Sequence, residues 1–225
     1  MKRKKLIVKA LLVTVITAFL FMNAYSYIAY NGAGSGYGEN GESSGGSSIC
    51  SQNNEIEYFI MLGAGHYLDA KTDIQQLLKA VEWQDISGVN YIDMQGLVDS
   101  ALHHMKNAAY IYEILIDTAE VTPYNEAVQS LLKDFDYDAY MLENNLNKGL
   151  FDIVRHYLQS GDITGIFKRT HSNYTNIIQL LEAVKKEVYN DKMPGLSIFW
   201  QLNETVDSTS TIGSYAARVF KEINY

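Results

Sequence analysis

The chain has 225 residues, 47 % of them hydrophobic and only two of them proline, so it is long enough for one globular domain with additional segments. Its net charge is −8; because residues 1–26 contribute five basic side chains and no acid, residues 27–225 carry −13. A surface of that sign repels nucleic acid and anionic lipid, and it suits cations or a basic protein partner.

The N-terminus has the organisation of an export signal. Four consecutive basic residues precede an apolar run at 10–22, and Ala24 and Ser26 are small residues at the positions that a signal peptidase reads. The alternative is an uncleaved membrane anchor over residues 6–30. We therefore expect residues 1–26 to be a signal peptide or membrane anchor, with the remainder periplasmic, extracellular or held at the membrane.

Residues 27–53 are predicted to be a flexible linker. Seven of the chain's 16 glycines lie within residues 31–48, and serine is the other common residue there; this composition is typical of flexible linkers. Cys50 is the only cysteine, so no internal disulfide exists. It is either an unpaired thiol or the site of a disulfide-linked dimer.

From residue 54 to 225 the apolar residues follow helical spacing, alternately three and four positions apart. We call each such row an apolar stripe. Five stripes run from Ile56 to Val81, Val98 to Ala119, Val128 to Leu146, Phe167 to Val188 and Ile198 to Ile223. They predict helices near 55–84, 93–120, 123–147, 164–189 and 196–223, with Asp93 capping the second and Met193-Pro194-Gly195 forming the last turn.

Short turns between long helices make neighbouring helices antiparallel. The sequence therefore predicts an all-α fold, an antiparallel up-and-down helical bundle of four to five long helices with coiled-coil-like spacing. No stretch of this region alternates polar and apolar residues as a strand would.

Signatures of known chemistry are missing from the sequence. It contains no Glu-x-x-His pair of the di-iron bundles, no haem-attachment motif, no zinc-protease motif and no phosphate-binding loop. We expect no catalytic residues and no organic cofactor.

His66 is the first of the metal-site candidates. It lies at the edge of the first stripe with Asp69 and Asp73 on the same flank. Residues 64–69 (AGHYLD) resemble the Gly-x-His-x-x-Glu element of imelysin-like exported helical bundles, a family linked to iron. The resemblance covers six residues, lacks the family's glycine two positions before the histidine, and has Asp in place of Glu. It implies a metal-handling bundle.

His104 lies at the edge of the second stripe. Counting outward from the turns puts Asp73, His104 and Asp138 at one height of the bundle, where three ligands from three helices could hold a divalent cation. The alternative is a set of boundary polar groups that hydrogen-bond one another. The candidate metal ligands are thus His66, Asp69, Asp73, His104 and Asp138.

Three functions remain open from the sequence. The first is a non-catalytic binding or interaction module for a protein or small molecule, favoured by the acidic, tyrosine-rich domain with its 17 tyrosines. The second is a metal-binding periplasmic bundle. The third is a sensor-type ligand-binding bundle, for which the sequence contains neither a second membrane span nor a cytoplasmic output.

Overall fold

The computed structural model describes residues 48–82, 90–121 and 126–223, and in these ranges all regular secondary structure is helical. The described residues form seven helices: α1 Ser48–Glu82, α2 Tyr91–Val121, α3 Glu126–Asp134, α4 Tyr137–Glu143, α5 Lys148–Ser160, α6 Ile163–Val188 and α7 Leu196–Glu222. The all-α prediction is confirmed. The predicted signal segment and residues 27–47 of the predicted linker lie outside the described residues, and so does the side chain of Cys50. Residues 48–53, predicted as the end of the linker, are instead the first residues of α1.

Four of the helices are long, with 35 residues in α1, 31 in α2, 26 in α6 and 27 in α7. Each packs on two of the others, in the order α1, α2, α6, α7 and back to α1. None of the described helices combines the length and the apolar character that a bilayer crossing requires.

Contacts between residues show that these neighbours run antiparallel. Lys106 on α2 pairs with Glu182 on α6 at 2.6 Å. Asp99 lies nearer the start of α2, and it pairs with Lys185, which lies nearer the end of α6, at 2.8 Å. On α1, Tyr67 reaches the middle of α7, and residues 75–81 face the beginning of α7.

Most residues of the predicted stripes lie in the core of the four long helices. Every stripe residue of α2 from Val98 to Ala119 is buried. At mid-height lies a layer of three fully buried tyrosines, Tyr67, Tyr112 and Tyr174. The ring of Tyr174 stacks on Tyr67 with centroids 5.1 Å apart and meets Tyr112 edge-on at 5.0 Å. The hydroxyl of Tyr67 donates to the carbonyl of Val206 at 2.8 Å, so its polar end is satisfied in the core.

The prediction of one long third helix at 123–147 is wrong. Two short helices, α3 and α4, occupy the described part of it, and the chain leaves helical geometry at Asp136 (φ −82°, ψ 84°). The Asp136 carboxylate accepts a hydrogen bond from the backbone N–H of Ala139 at 3.0 Å. An aspartate competes in this way with the helical backbone and starts a new helix. Leu142, predicted in the stripe, is 75 % exposed as a result.

Two other helix ends are set by polar side chains. Asn90, and not Asp93, caps α2, because its side-chain oxygen accepts from the N–H of Ile92 at 3.1 Å. Between α5 and α6, Gly161 adopts the left-handed conformation (φ 75°) and Asp162 caps α6 through the N–H of Gly165 at 2.8 Å. This two-residue corner folds α5 against α6.

Candidate metal centre

α1 presents His66 and Asp69 on one flank of the helix. The two residues are three positions apart, so both side chains project from the same side of α1. Their stripe neighbour Tyr67 is fully buried, which fixes the rotation of the helix and leaves His66 half-buried and Asp69 exposed. The helix itself therefore orients two donor groups toward its neighbour.

α2 supplies the third donor, His104. A glycine one turn before His66 lets the two helices approach, since a Cβ atom at Gly63 would lie 2.8 Å from the ring of Tyr112 on α2. Only a residue without a side chain fits this contact. The close crossing brings His66 of α1 and His104 of α2 together, with ring centroids 5.7 Å apart and the rings tilted by 34°.

The three side chains converge on one point. The Nδ1 atoms of His66 and His104 are 3.4 Å apart, and Nδ1 of His104 lies 3.8 Å from Oδ2 of Asp69. One ligand atom from each of the three lies within 4.8 Å of the others. Two ligands of a tetrahedral ion at about 2.0–2.1 Å are about 3.3–3.4 Å from each other. The separation of the two imidazole nitrogens therefore already matches a tetrahedral metal.

The electrostatics of the cluster favour the ligand form of histidine. Burial, and then the neighbouring His104, lower the pKa of His66, while Asp69 opposes them by raising it. A lowered pKa favours the neutral form of His66, in which one ring nitrogen carries a lone pair. A metal can bind only this form, so lowering the pKa removes competition from protons.

The cluster is open on its outer side. The side chain of His104 is 26 % exposed and that of Asp69 is 64 % exposed, so an ion can enter from solvent. A third imidazole, His103, lies beside His104 with ring centroids 5.4 Å apart, and its Nε2 is bonded to the side-chain amide of Asn107 at 3.2 Å. Three protein ligands with an accessible outer side leave a coordination position for water or for a group on another molecule.

Two of the five predicted ligands are not part of this group. Asp138 is on the short helix α4, where its carboxylate pairs with Arg155 of α5 at 2.7 Å. The split of the predicted third helix removed the geometry that had placed it level with His104. Asp73, one turn beyond Asp69 on α1, does not join the group of converging ligand atoms among the described residues. Of the five predicted ligands, the structure therefore brings together His66, Asp69 and His104 from two helices. It does not bring Asp73, His104 and Asp138 together from three helices among the residues it describes.

The pairing of the two histidines with each other was missed from sequence, although each had been singled out separately. The sequence feature that could have predicted this pairing is Gly63. A glycine inside an apolar stripe indicates a close approach of two helices, and Gly63 lies one turn from His66.

Comparison with known proteins adds no functional information: no family model, curated protein or solved structure matches the chain. The resemblance of residues 64–69 to the imelysin-like element thus stands as a local similarity.

Proposed function

We propose that this protein is a non-catalytic binding domain whose ligand is a divalent transition-metal ion held by His66, Asp69 and His104. The observation that supports the proposal is the convergence of two imidazole nitrogens and one carboxylate oxygen, from two helices, within 4.8 Å. The hydrogen-bonding alternative, in which the two histidines serve only as a polar contact between α1 and α2, uses the same atoms and is the rival that an experiment must exclude.

The ligand set selects the class of metal. Two imidazoles with one carboxylate suit Fe²⁺, Co²⁺, Cu²⁺ or Zn²⁺, whereas Ca²⁺ and Mg²⁺ require sets of oxygen ligands. The 3.4 Å separation of the nitrogens favours tetrahedral coordination, and among these ions Zn²⁺ prefers that geometry. We infer a Zn²⁺-type site that carries a water molecule in its fourth position.

The test is metal binding by protein purified without a histidine tag. We expect one equivalent of Zn²⁺ after reconstitution and dialysis, and a tetrahedral Co²⁺ absorption spectrum when Co²⁺ replaces it. Loss of an outer-shell partner already costs about 10–100-fold in affinity, so His66→Ala and His104→Ala should each weaken binding at least about 100-fold. Asp69→Asn should weaken it less, because the amide oxygen is still a ligand.

Asp138→Ala and His156→Ala are the matched controls, because they remove the same residue types away from the cluster. The sequence had placed Asp138 among the candidate ligands, and its ion pair with Arg155, away from the cluster, now makes Asp138→Ala a control. Protein that retains no metal after reconstitution, or that binds it equally well without His66 and His104, would leave the two histidines a structural role only.

The placement of the domain outside the cytoplasm is a second part of the proposal. It is supported by the basic and apolar N-terminal segment and by the small residues Ala24 and Ser26. We expect a mature chain that begins at or near Tyr27. N-terminal sequencing of the native protein decides this point, because an intact N-terminus in the membrane fraction would identify residues 6–30 as an anchor.

A further inference from the structure

A groove runs along the outer face of α7. Its first part has a volume of about 940 Å³ and lies between α7 and the last two turns of α1. Leu78 and Val81 of α1 and Phe199 of α7 form its apolar wall. Leu196 and Trp200 border it with 66 % and 77 % of their surface exposed. Large apolar side chains with such exposure at the edge of a concavity are typical of binding surfaces.

The groove continues toward the middle of α7 into a polar part. This part lies between α7 and the N-terminus of α5, and it shares Asn203 and Glu204 with the apolar part. Asp207, Ser208 and Thr211 complete the α7 side. The α7 residues concerned, from Trp200 to Thr211, recur at intervals of three and four positions and so form one continuous face of the helix.

The two ends differ in charge. Glu204 and Asp207 are exposed, and neither takes part in an ion pair among the residues that the structure describes. The Asp207 carboxylate accepts a hydrogen bond from the side-chain amide of Asn203, at 3.2 Å. Lys79 lies beside the apolar end, and Lys71 bonds to Ser210 at 3.0 Å on the side facing α1. The exposed carboxylates of the groove therefore lie in its polar part, one to two turns along α7 from Trp200.

We propose that this groove binds an extended basic segment of a protein partner, with an apolar side chain against Trp200 and Leu78 and a Lys or Arg against Glu204 and Asp207. At 1.5 Å per residue, Asp207 lies about 10 Å along α7 from Trp200. An extended peptide rises about 3.3 Å per residue. A Lys or Arg two or three positions from the apolar residue therefore spans the distance to these carboxylates.

Charge complementarity supports a basic partner over the other macromolecules. The charge of −13 on residues 27–225 repels nucleic acids and anionic membranes at long range and attracts a basic chain. A small polyamine would satisfy the carboxylates and leave the apolar wall uncovered, whereas a peptide with an apolar side chain covers both. The inference is independent of the metal site, which lies on the α1–α2 flank.

The experiment measures binding of the protein to an immobilised, capped peptide of sequence Leu-Gly-Lys-Lys, in buffer containing EDTA. EDTA removes any bound metal, so the result does not depend on the site of His66 and His104. We expect saturable binding that weakens as salt is raised. The peptide Gly-Gly-Lys-Lys should bind at least about fivefold more weakly, because it lacks the apolar anchor, and free spermidine should not compete at equal concentration.

Variants locate the site. Trp200→Ala should weaken binding about tenfold or more, as for a central aromatic contact. Glu204→Gln and Asp207→Asn should each weaken it about two- to fivefold, the range for exposed ion pairs. The control Asp152→Asn removes an exposed carboxylate of α5 outside the groove lining and should leave affinity unchanged. These substitutions are at exposed positions, and circular dichroism verifies that each variant is folded.

Three outcomes would overturn the proposal. The first is that Leu-Gly-Lys-Lys does not bind saturably. The second is equal affinity for the peptide without leucine or for spermidine, and the third is wild-type affinity in the Trp200 and carboxylate variants. The second would reduce the groove to a general cation-attracting surface.

Discussion

α2 and the segment of short helices α3–α5 bury their side chains in different ways. In α2 every third or fourth residue from Val98 to Ala119 is buried, over six turns. In the short-helix segment Leu132 is fully buried, yet Leu142, ten residues later, is 75 % exposed. Apolar residues at the same spacing are thus buried throughout α2 but partly exposed in the short-helix segment.

This difference in burial follows from the number of helices that pack against each segment. α2 packs on α1 along one side and on α6 along another, so its rotation is held over its whole length. Among the described helices, α3 and α4 each pack only on α5, and a break at Asp136 lets each take its own rotation. Periodicity therefore predicts burial where a helix is long and has two neighbours, and it fails where polar side chains interrupt the helix.

The largest expected effect tests this contrast directly. Ile177→Asp and Leu132→Asp each place a charge at a fully buried position, one in a long helix and one in a short one, and each should cost about 4 kcal/mol or more of unfolding free energy. Leu142→Asp and Asp152→Asn, at exposed positions, should change it by less than about 0.5 kcal/mol. Denaturant unfolding of the four variants measures this free energy. A large loss of unfolding free energy in Leu142→Asp would show that the Leu142 side of α4 is buried.

The next effect concerns the crossing of α1 and α2. Gly63→Ala would put a Cβ atom 2.8 Å from Tyr112 and should cost about 1–3 kcal/mol. At Gly65, two residues on, a Cβ atom meets nothing within 4 Å. Gly65→Ala should therefore be neutral or stabilise the protein by up to about 1 kcal/mol, through helix propensity. Because Gly63→Ala separates the helices beside His66, it should also weaken metal binding; equal stability of the two variants would contradict the close crossing.

A smaller effect is expected in the tyrosine layer. Tyr67→Phe removes the buried hydroxyl that bonds to Val206 and to Ser210 at 2.9 Å, and we expect a loss of about 1 kcal/mol. Tyr110→Phe, on the exposed face of α2, is the matched control and should have no measurable effect. Thermal unfolding compares the two, and indistinguishable midpoints would mean that the buried hydroxyl adds no stability.

The smallest effect is a pH dependence of the metal-free protein. The pKa of His66 is lowered in the folded state, so the unfolded chain binds this proton more tightly. Stability should therefore rise with pH through the window just below the ordinary histidine value of about 6.5, and reach its full extent above it. His66→Gln should flatten this part of the profile. Thermal midpoints between about pH 5 and pH 8 provide the measurement, and the same slope in both proteins would contradict the assignment.

Much of the long-helix architecture could be predicted from sequence. The helices predicted at 93–120, 164–189 and 196–223 agree with α2, α6 and α7 within about two residues, because their stripes are long and their ends carry turn residues. The cap at Asn90 was missed, since Asn90 and Asp93 are both suitable caps and the choice depends on which side chain reaches the free N–H groups.

By itself the sequence determined the helical class, the buried face of each long helix and the flanks on which His66 and His104 lie, because these depend on residue spacing along one helix. Only the tertiary structure decided which flanks meet. The approach at Gly63 joined His66 to His104, the break at Asp136 turned Asp138 toward Arg155, and the packing of α1 and α5 beside α7 formed the groove. Each of these depends on the relative rotation of two helices, and that rotation is set by side chains far apart in the chain.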